Sequence, residues 1–272
     1  MDNGTRRVAV LIDADNASAR HAAEIFEEVA KHGEANVRRI YGDFSGTRLR
    51  DWRAQMQPLA ILPQQQFNYT TGKNAADIAL VIDAMDLLHT GAVDTFCLVS
   101  SDSDFTRLAL ALREKGKTVI GFGERKTPAA FRNACNRFIY LDNLGPAVNE
   151  DTDGGIGRTV GRSGAKSAAI RAEAETAPDG DGTAALTQKE PPSKAVPLIL
   201  KAMAGHEDEE GWASLGGIGT RLQSIAPDFD PRNYGFAKLS DVVRKAGAFD
   251  LEKAERGHLR VRQRRRQSRK EG

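Results

Sequence analysis

Four aspartates fall at positions where acids could act together. Asp13 follows directly on the apolar run Val8-Ala-Val-Leu-Ile12, Asp77 lies in the first turn of a helical pattern that opens at Asn74, and Asp102 and Asp104 follow directly on Leu98-Val-Ser100. If the apolar runs are parallel strands, all four carboxylates reach one edge of a sheet. Grouped carboxylates repel one another and raise each other's pKa, and a divalent cation relieves that repulsion. Oxygen-only ligands suit Mg²⁺ or Mn²⁺ rather than zinc. Such a site activates water and stabilises a phosphorane-like transition state, with one metal or two. Asn16 is placed to position a bound water or a phosphate, and Asp15 could join the cluster or serve a turn. The competing reading makes each aspartate a helix cap, for which Ser101, Asp102, Ser103 and Asp104 are all suitable types. Asp83 is a weaker candidate: six residues after Asp77 it lies about 240° further around a helix of 3.6 residues per turn.

The elements that must carry these acids alternate. Apolar runs at 8–12, 36–41, 60–62, 95–100 and 117–122 read as strands, with a short last one at 138–141. Amphipathic stretches at 18–31, 46–56, 74–89 and 105–115 read as helices. Gly116 stops the helix before it. Continuous apolar strands alternating with helices imply an α/β fold with a parallel sheet covered on both faces. Sites in such folds lie at the carboxyl ends of the strands.

Composition divides the chain into parts. Residues 1–145 hold the α/β pattern. Residues 146–193 are rich in Gly, Ala, Ser, Thr, Asp and Glu and nearly free of large apolar side chains, so they read as a disordered linker, with a short helix possible over 165–175. From residue 194 to 262 the pattern is a small winged-helix-like domain. One helix opens at Val196, a second carries Trp212, Leu215, Ile218 and Leu222, and a third carries Phe236, Leu239, Val242 and Val243. A hairpin follows at 248–251 and 258–261. Residues 263–272 form a basic tail. The formal charge of +2 decides nothing, but the tail's arginines would attract phosphates in a salt-sensitive way. Two cysteines, Cys97 and Cys135, exclude a disulfide framework or a cysteine-based zinc site, and Cys97 reads as a small buried hydrophobe. The absence of a signal peptide or a bilayer-length apolar run points to the cytoplasm, without a membrane partner.

Five segments resemble the NYN family, a branch of the PIN-like nucleases. They are Leu11-Ile-Asp-Ala-Asp-Asn16, Arg39-Ile-Tyr-Gly-Asp43, Gly72-Lys-Asn-Ala-Ala-Asp77 with Val81-Ile-Asp83, Val99-Ser-Ser-Asp-Ser-Asp-Phe105, and Gly116-Lys-Thr-Val-Ile-Gly-Phe-Gly123. The resemblance implies a Rossmann-like fold, Mg²⁺ or Mn²⁺, and hydrolysis of RNA phosphodiesters. It implies metal-binding and catalytic roles for Asp13, Asp77, Asp102 and Asp104, with Asn16 in support and Asp83 as a further matching aspartate. The last region resembles the LOTUS (OST-HTH) family through Trp212 with Leu215, through Pro227-Asp-Phe-Asp-Pro-Arg-Asn-Tyr-Gly-Phe236, and through Lys238-Leu239 and Phe249. That resemblance implies binding of RNA, or of a protein partner instead. Arg232, Tyr234 and Lys238 are the cation and aromatic types suited to RNA, although Tyr234 and Phe236 could simply build the core. Lys73 and Lys126 could reach a phosphate backbone near the acids, with a solvated role as the alternative.

The resulting expectation is a metal-dependent ribonuclease, its open acidic edge favouring endonuclease action. The C-terminal domain would capture RNA, and the linker would raise the RNA concentration at the acids. A non-catalytic RNA or protein adaptor is one rival. A haloacid-dehalogenase-like phosphatase with Asp13 as nucleophile is another, but Ala17 departs from that family's motif. Gly161-Arg-Ser-Gly-Ala-Lys-Ser167 lacks the glycine that a P-loop places before its lysine, and no strand precedes it. The RNA target and the oligomeric state stay open.

Overall fold

The computed structural model describes residues 5–67, 74–145, 189–254 and 257–264. The linker residues 146–188, Lys73, the possible helix at 165–175 and the tail from 265 onward lie outside the described residues. The first strand, β1 (Arg7–Asp13), is followed by a 3-10 turn and α1 (Ala22–Val29), then β2 (Glu34–Gly42), α2 (Arg50–Met56), β3 (Leu62–Gln65) and α3 (Ala75–His89). Then come β4 (Thr95–Val99), α4 (Thr106–Glu114), β5 (Thr118–Gly123), α5 (Ala129–Ala134) and β6 (Arg137–Tyr140). The six strands form one sheet in the order β3-β2-β1-β4-β5-β6, every pairing parallel.

The alternation of side chains along β1 divides the core. Val8, Val10 and Ile12 pack on the α1 and α2 side, and Ala9 and Leu11 on the α3 and α4 side. Nearly all of β1, β4 and β5 is buried, as expected of strands covered on both faces. The chain leaves β1 towards β2 and β3, then returns to the other side of β1 as β4. That reversal opens a crevice at the carboxyl ends of β1 and β4, where doubly wound sheets place their ligands. Asp13 and Ser100 stand there.

The third strand departs from the expected bounds, and one helix was not expected. The third strand begins at Leu62 rather than Ala60. Ala60 has a positive φ of 52°, and the Ile61 N–H still closes the helix end on the Met56 carbonyl, so pairing starts at Leu62 opposite Arg39. The helix α5 was not legible, because its six residues are too few to show a period. Among the described residues no helix is long and apolar enough to cross a membrane.

The C-terminal domain begins earlier than expected. The Glu190 N–H bonds the Asn233 carbonyl, and a 3-10 turn at Pro192–Ala195 leads into α6 (Val196–Met203). Then follow β7 (Trp212–Ser214), α7 (Leu215–Ile225), α8 (Leu239–Ala246), β8 (Phe249–Lys253) and β9 (Leu259–Gln263), with the sheet in the order β7-β9-β8. Trp212, expected on a helix, is in a strand. Its N–H goes to the Asp208 carboxylate at 2.8 Å, Gly211 before it takes a left-handed φ of 82°, and Trp212 pairs across to Arg262. Residues 263 and 264, assigned to the tail, belong to the hairpin: Gln263 pairs with Phe249, and the Arg264 N–H bonds the Ala248 carbonyl. The domain core gathers Ile199, Ile218, Leu222, Val242, Val243 and Val261.

Candidate active site

Asp13 ends β1 with 1% exposure. Four donors converge on its carboxylate: the Asp15 and Asn16 backbone N–H groups at 3.1 and 3.2 Å on Oδ1, and Asn16 Nδ2 and Ser100 Oγ at 2.9 and 2.7 Å on Oδ2. A carboxylate offers about four acceptor positions, so Asp13 is saturated. Burial pushes its pKa above the ordinary value, and the hydrogen bonds from Ser100 and Asn16 only partly offset this.

Ser100, itself buried, links the two strand ends. Its hydroxyl donates to Asp13 and accepts the Asp102 N–H at 3.0 Å. Asp102 then caps the 3-10 turn at Ser103–Phe105, its Oδ1 accepting the Asp104 N–H at 2.9 Å. The capping role and membership of the cluster therefore coexist in one residue. Asp77 faces these acids from α3. Its carboxyl is pushed up to about 6, first by burial and then by the charges of Asp13, Asp102, Asp15 and Asp104. Asn74 Nδ2 bonds Asp104 Oδ2 at 3.4 Å, joining the start of α3 to the loop after β4.

Asp77 thus lies near enough to Asp13, Asp102 and Asp104 to feel their charges. Among the described residues, no group of three or more acid, histidine or cysteine side chains forms a ready-made ligand shell. The donors are nonetheless hard oxygens, and the Asp77 carboxyl is raised first by burial and then by the neighbouring acids. Oxygen donors of this type are those that hard divalent cations such as Mg²⁺ or Mn²⁺ prefer.

Asp83 belongs to a different neighbourhood. Its Oδ2 accepts from Arg39 Nη1 at 2.9 Å and from the Tyr41 hydroxyl at 2.7 Å, which fixes α3 against β2. The sequence reading missed Ser100, Asn74 and Arg48. Arg48 Nη2 bonds Asp15 Oδ1 at 2.6 Å and so turns Asp15 to an ion pair on the rim. The groove beside the acids is lined by Asn16, Ser18, Ser101, Asp102, Glu124 and Lys126, and Lys126 pairs with Glu124 at 2.9 Å.

Gly123, at the end of β5, is packed tightly against the Ser100 backbone. A Cβ there would stand 2.7 Å from Thr127 Oγ1, 2.8 Å from the Ser100 carbonyl and 2.9 Å from Phe138 Cζ. Gly123→Ala is expected to destabilise the fold by about 1–3 kcal/mol through overpacking, and thermal melting of the variant measures it. Because the crowded carbonyl belongs to Ser100, the hydrogen bond to Asp13 should weaken as well.

In the C-terminal domain the candidate RNA contacts separate. Lys238 is exposed at the start of α8, Tyr234 is buried in the core, and Arg232 is committed to carboxylates: Asp230 Oδ2 at 2.7 Å and Glu28 Oε2 at 3.0 Å. For Tyr234 and Arg232 the RNA-contact expectation is corrected on that ground. Tyr234 serves the core, as one of the two readings allowed.

The parallel sheet in the order β3-β2-β1-β4-β5-β6, with acids at the ends of β1 and β4 and in the first turn of α3, defines a doubly wound α/β domain with an acidic edge. The NYN domain family matches residues 7–142, half of the 272-residue chain, and the OST-HTH/LOTUS domain family matches residues 187–261. The chain belongs to the NYN family, within a nuclease superfamily, and carries an OST-HTH/LOTUS domain behind the NYN domain. An uncharacterized protein of Methanocaldococcus jannaschii is 26% identical over 143 residues, covering 51% of this chain and 56% of that protein; the chain thus spans little more than half the length of this relative. A Vibrio parahaemolyticus protein of unknown function is similar at 17% identity and a TM-score of 0.45, over 53% of this chain and 99% of its own. An uncharacterized Nitrosomonas europaea protein is similar at 29% identity and a TM-score of 0.27, over 38% of this chain and 100% of its own.

Proposed function

We propose that the chain is a Mg²⁺- or Mn²⁺-dependent ribonuclease acting on RNA phosphodiesters at the carboxyl ends of β1 and β4. The observation that carries this reading is the meeting of Asp13, at the end of β1, with the Asp102–Asp104 turn after β4 through the shared Ser100 hydroxyl. Asp77, Asp102 and Asp104 would hold the cation, and Asp13 would join them once one of its four donors gives way. The bound cation would supply charge neutralisation and an acidified water. The residues of the chain supply the rest. Asp13 orders Asn16 and Ser100; Asn16 Nδ2, already donating at 2.9 Å, is the nearby neutral donor that can orient a phosphate oxygen. The open groove with Lys126 on its wall suits a strand that passes across the site, hence internal cleavage.

The test uses labelled single-stranded, structured and circular RNAs with Mn²⁺, with Mg²⁺ and with EDTA, for the wild type and Asp102→Asn. Cleavage that requires the metal, opens the circle and falls by about 10²-fold or more in the variant is the expected result. RNA binding without cleavage of any substrate by the wild type would replace this reading with that of an adaptor.

A further inference from the structure

The OST-HTH domain was expected as a tethered module, yet one of its loops lies on the NYN sheet. The β6 strand is the edge of that sheet, and a bare edge carries unpaired backbone groups that other chains can pair with. Here the Phe138 N–H donates to the Pro227 carbonyl at 2.8 Å. Around this bond the contacts are polar and charged. The Tyr140 hydroxyl donates to Asp228 Oδ2 at 2.9 Å, and Arg132 pairs with the same carboxylate. Asn143 Nδ2 donates to Asn233 Oδ1 at 2.6 Å. Below them lies an ion cluster, which Lys31 also joins at 2.7 Å from Glu28. Glu28, at the end of α1, and Asp230 are each only 4% exposed at the side chain, and both meet Arg232 and Arg137. Burial works to raise both acids, but Lys31 and Arg232 hold Glu28, and Arg232 holds Asp230, below the ordinary carboxylate range. Both carboxylates are therefore ionised and paired.

From this we infer that the Pro227–Gly235 loop is a docking element whose partner is the β6 edge and the α1 end of the same chain, and that the two domains act as one body. A loop that only read RNA would not place Asp228 and Asp230 against arginines of the other domain, nor a backbone carbonyl on its open edge. The loop cannot dock and contact RNA through Arg232 at once, so RNA contacts of this domain belong to another face, on which Lys238 is exposed. This inference does not depend on catalysis.

Amide hydrogen exchange on the full chain tests it, with the Phe138 N–H as reporter. In the wild type that amide is expected to be protected, and saturating RNA should leave it so. Arg232→Glu should make it exchange at least about tenfold faster, while core amides such as that of Val242 stay protected and show the domain still folded. Arg232→Lys, which keeps a positive charge between Glu28 and Asp230, should retain most of the protection. In a second arm, a protease site is introduced between residues 148 and 188; after cleavage the two fragments should elute together from the wild type and separately with Arg232→Glu. Free exchange at Phe138 in the wild type, loss of its protection on adding RNA, or a variant indistinguishable from the wild type would overturn the inference. So would a protected Phe138 in a particle of twice the chain mass, since the loop would then occupy the edge of a second copy.

Discussion

Asp77→Asn is expected to lower metal-dependent RNA cleavage by about 10²–10³-fold and, in the same protein, to raise the melting temperature of the metal-free form at neutral pH. The two effects have one cause. The Asp77 carboxyl sits near 6 rather than at its ordinary value of 3.8 because burial and the charges of Asp13, Asp102, Asp15 and Asp104 all disfavour its ionised form. A native pKa above the unfolded one means that the folded protein binds more protons between about 4 and 6. The contribution of this group to stability is then fully present below the unfolded value and is lost as the pH rises through 6. At pH 7.5 the ionised Asp77 therefore opposes folding until a cation neutralises it. An asparagine removes that opposition along with the ligand. The side chain is partly solvated, so screening limits the gain to no more than about 1 kcal/mol, or about 2–4 °C. Melting curves at pH 5 and 7.5, with and without Mn²⁺, check the sign. Wild-type stabilisation by Mn²⁺ should be larger at pH 7.5, and the variant should lose most of that stabilisation and the part of the pH slope between about 4 and 6 that Asp77 contributes. A variant that melts lower than the wild type without metal would show that Asp77 is held by favourable contacts rather than by repulsion.

Asp13→Asn should move stability in the opposite direction. Its carboxylate accepts four hydrogen bonds at 1% exposure. An amide in its place presents an NH₂ group to the Asn16 and Ser100 donors, leaving buried donors unpaired at about 1–3 kcal/mol each. A loss of about 3 kcal/mol is expected, read as a lower denaturant midpoint with an unchanged m-value. Cleavage should fall by about 10²-fold, because Asn16 and Ser100 lose the group that orders them, and the loss of an ordering partner carries that size of effect. Substitutions at two carboxylates of one cluster would thus separate by the sign of their stability change. If Asp13→Asn were as stable as the wild type, Asp13 would not be the anchor of the site.

Much of this arrangement was legible in the sequence, because the signals were local. Continuous apolar runs announced strands buried on both faces, and Asp13, Asp102 and Asp104 followed those runs directly. The position of Asp77 in the first turn of α3 was equally plain, and Asp83, which the helical rotation set apart from it, bonds Arg39 and Tyr41. What was not legible depends on contacts distant in sequence. Ser100 read as one more polar residue after a strand, and only the β1–β4 pairing brings its hydroxyl to Asp13, 87 residues away. Arg232 read as an RNA contact because nothing local shows that Glu28, 204 residues away, stands opposite it. Trp212 fitted a helical spacing with Leu215 and Ile218, but cross-strand pairing with Arg262 overrode it.

The most direct measurement is a Mn²⁺ titration of the wild-type full chain at pH 7.5, with protein-bound Mn²⁺ read by electron paramagnetic resonance and cleavage of a labelled single-stranded RNA read in the same samples. The expected result is a cleavage rate that rises in proportion to bound Mn²⁺, with both binding and cleavage strongly reduced in Asp77→Asn. Cleavage that persists when no Mn²⁺ is bound and EDTA is present, or Mn²⁺ that binds equally well without Asp77 while RNA stays intact, would contradict a metal-dependent nuclease site at these acids.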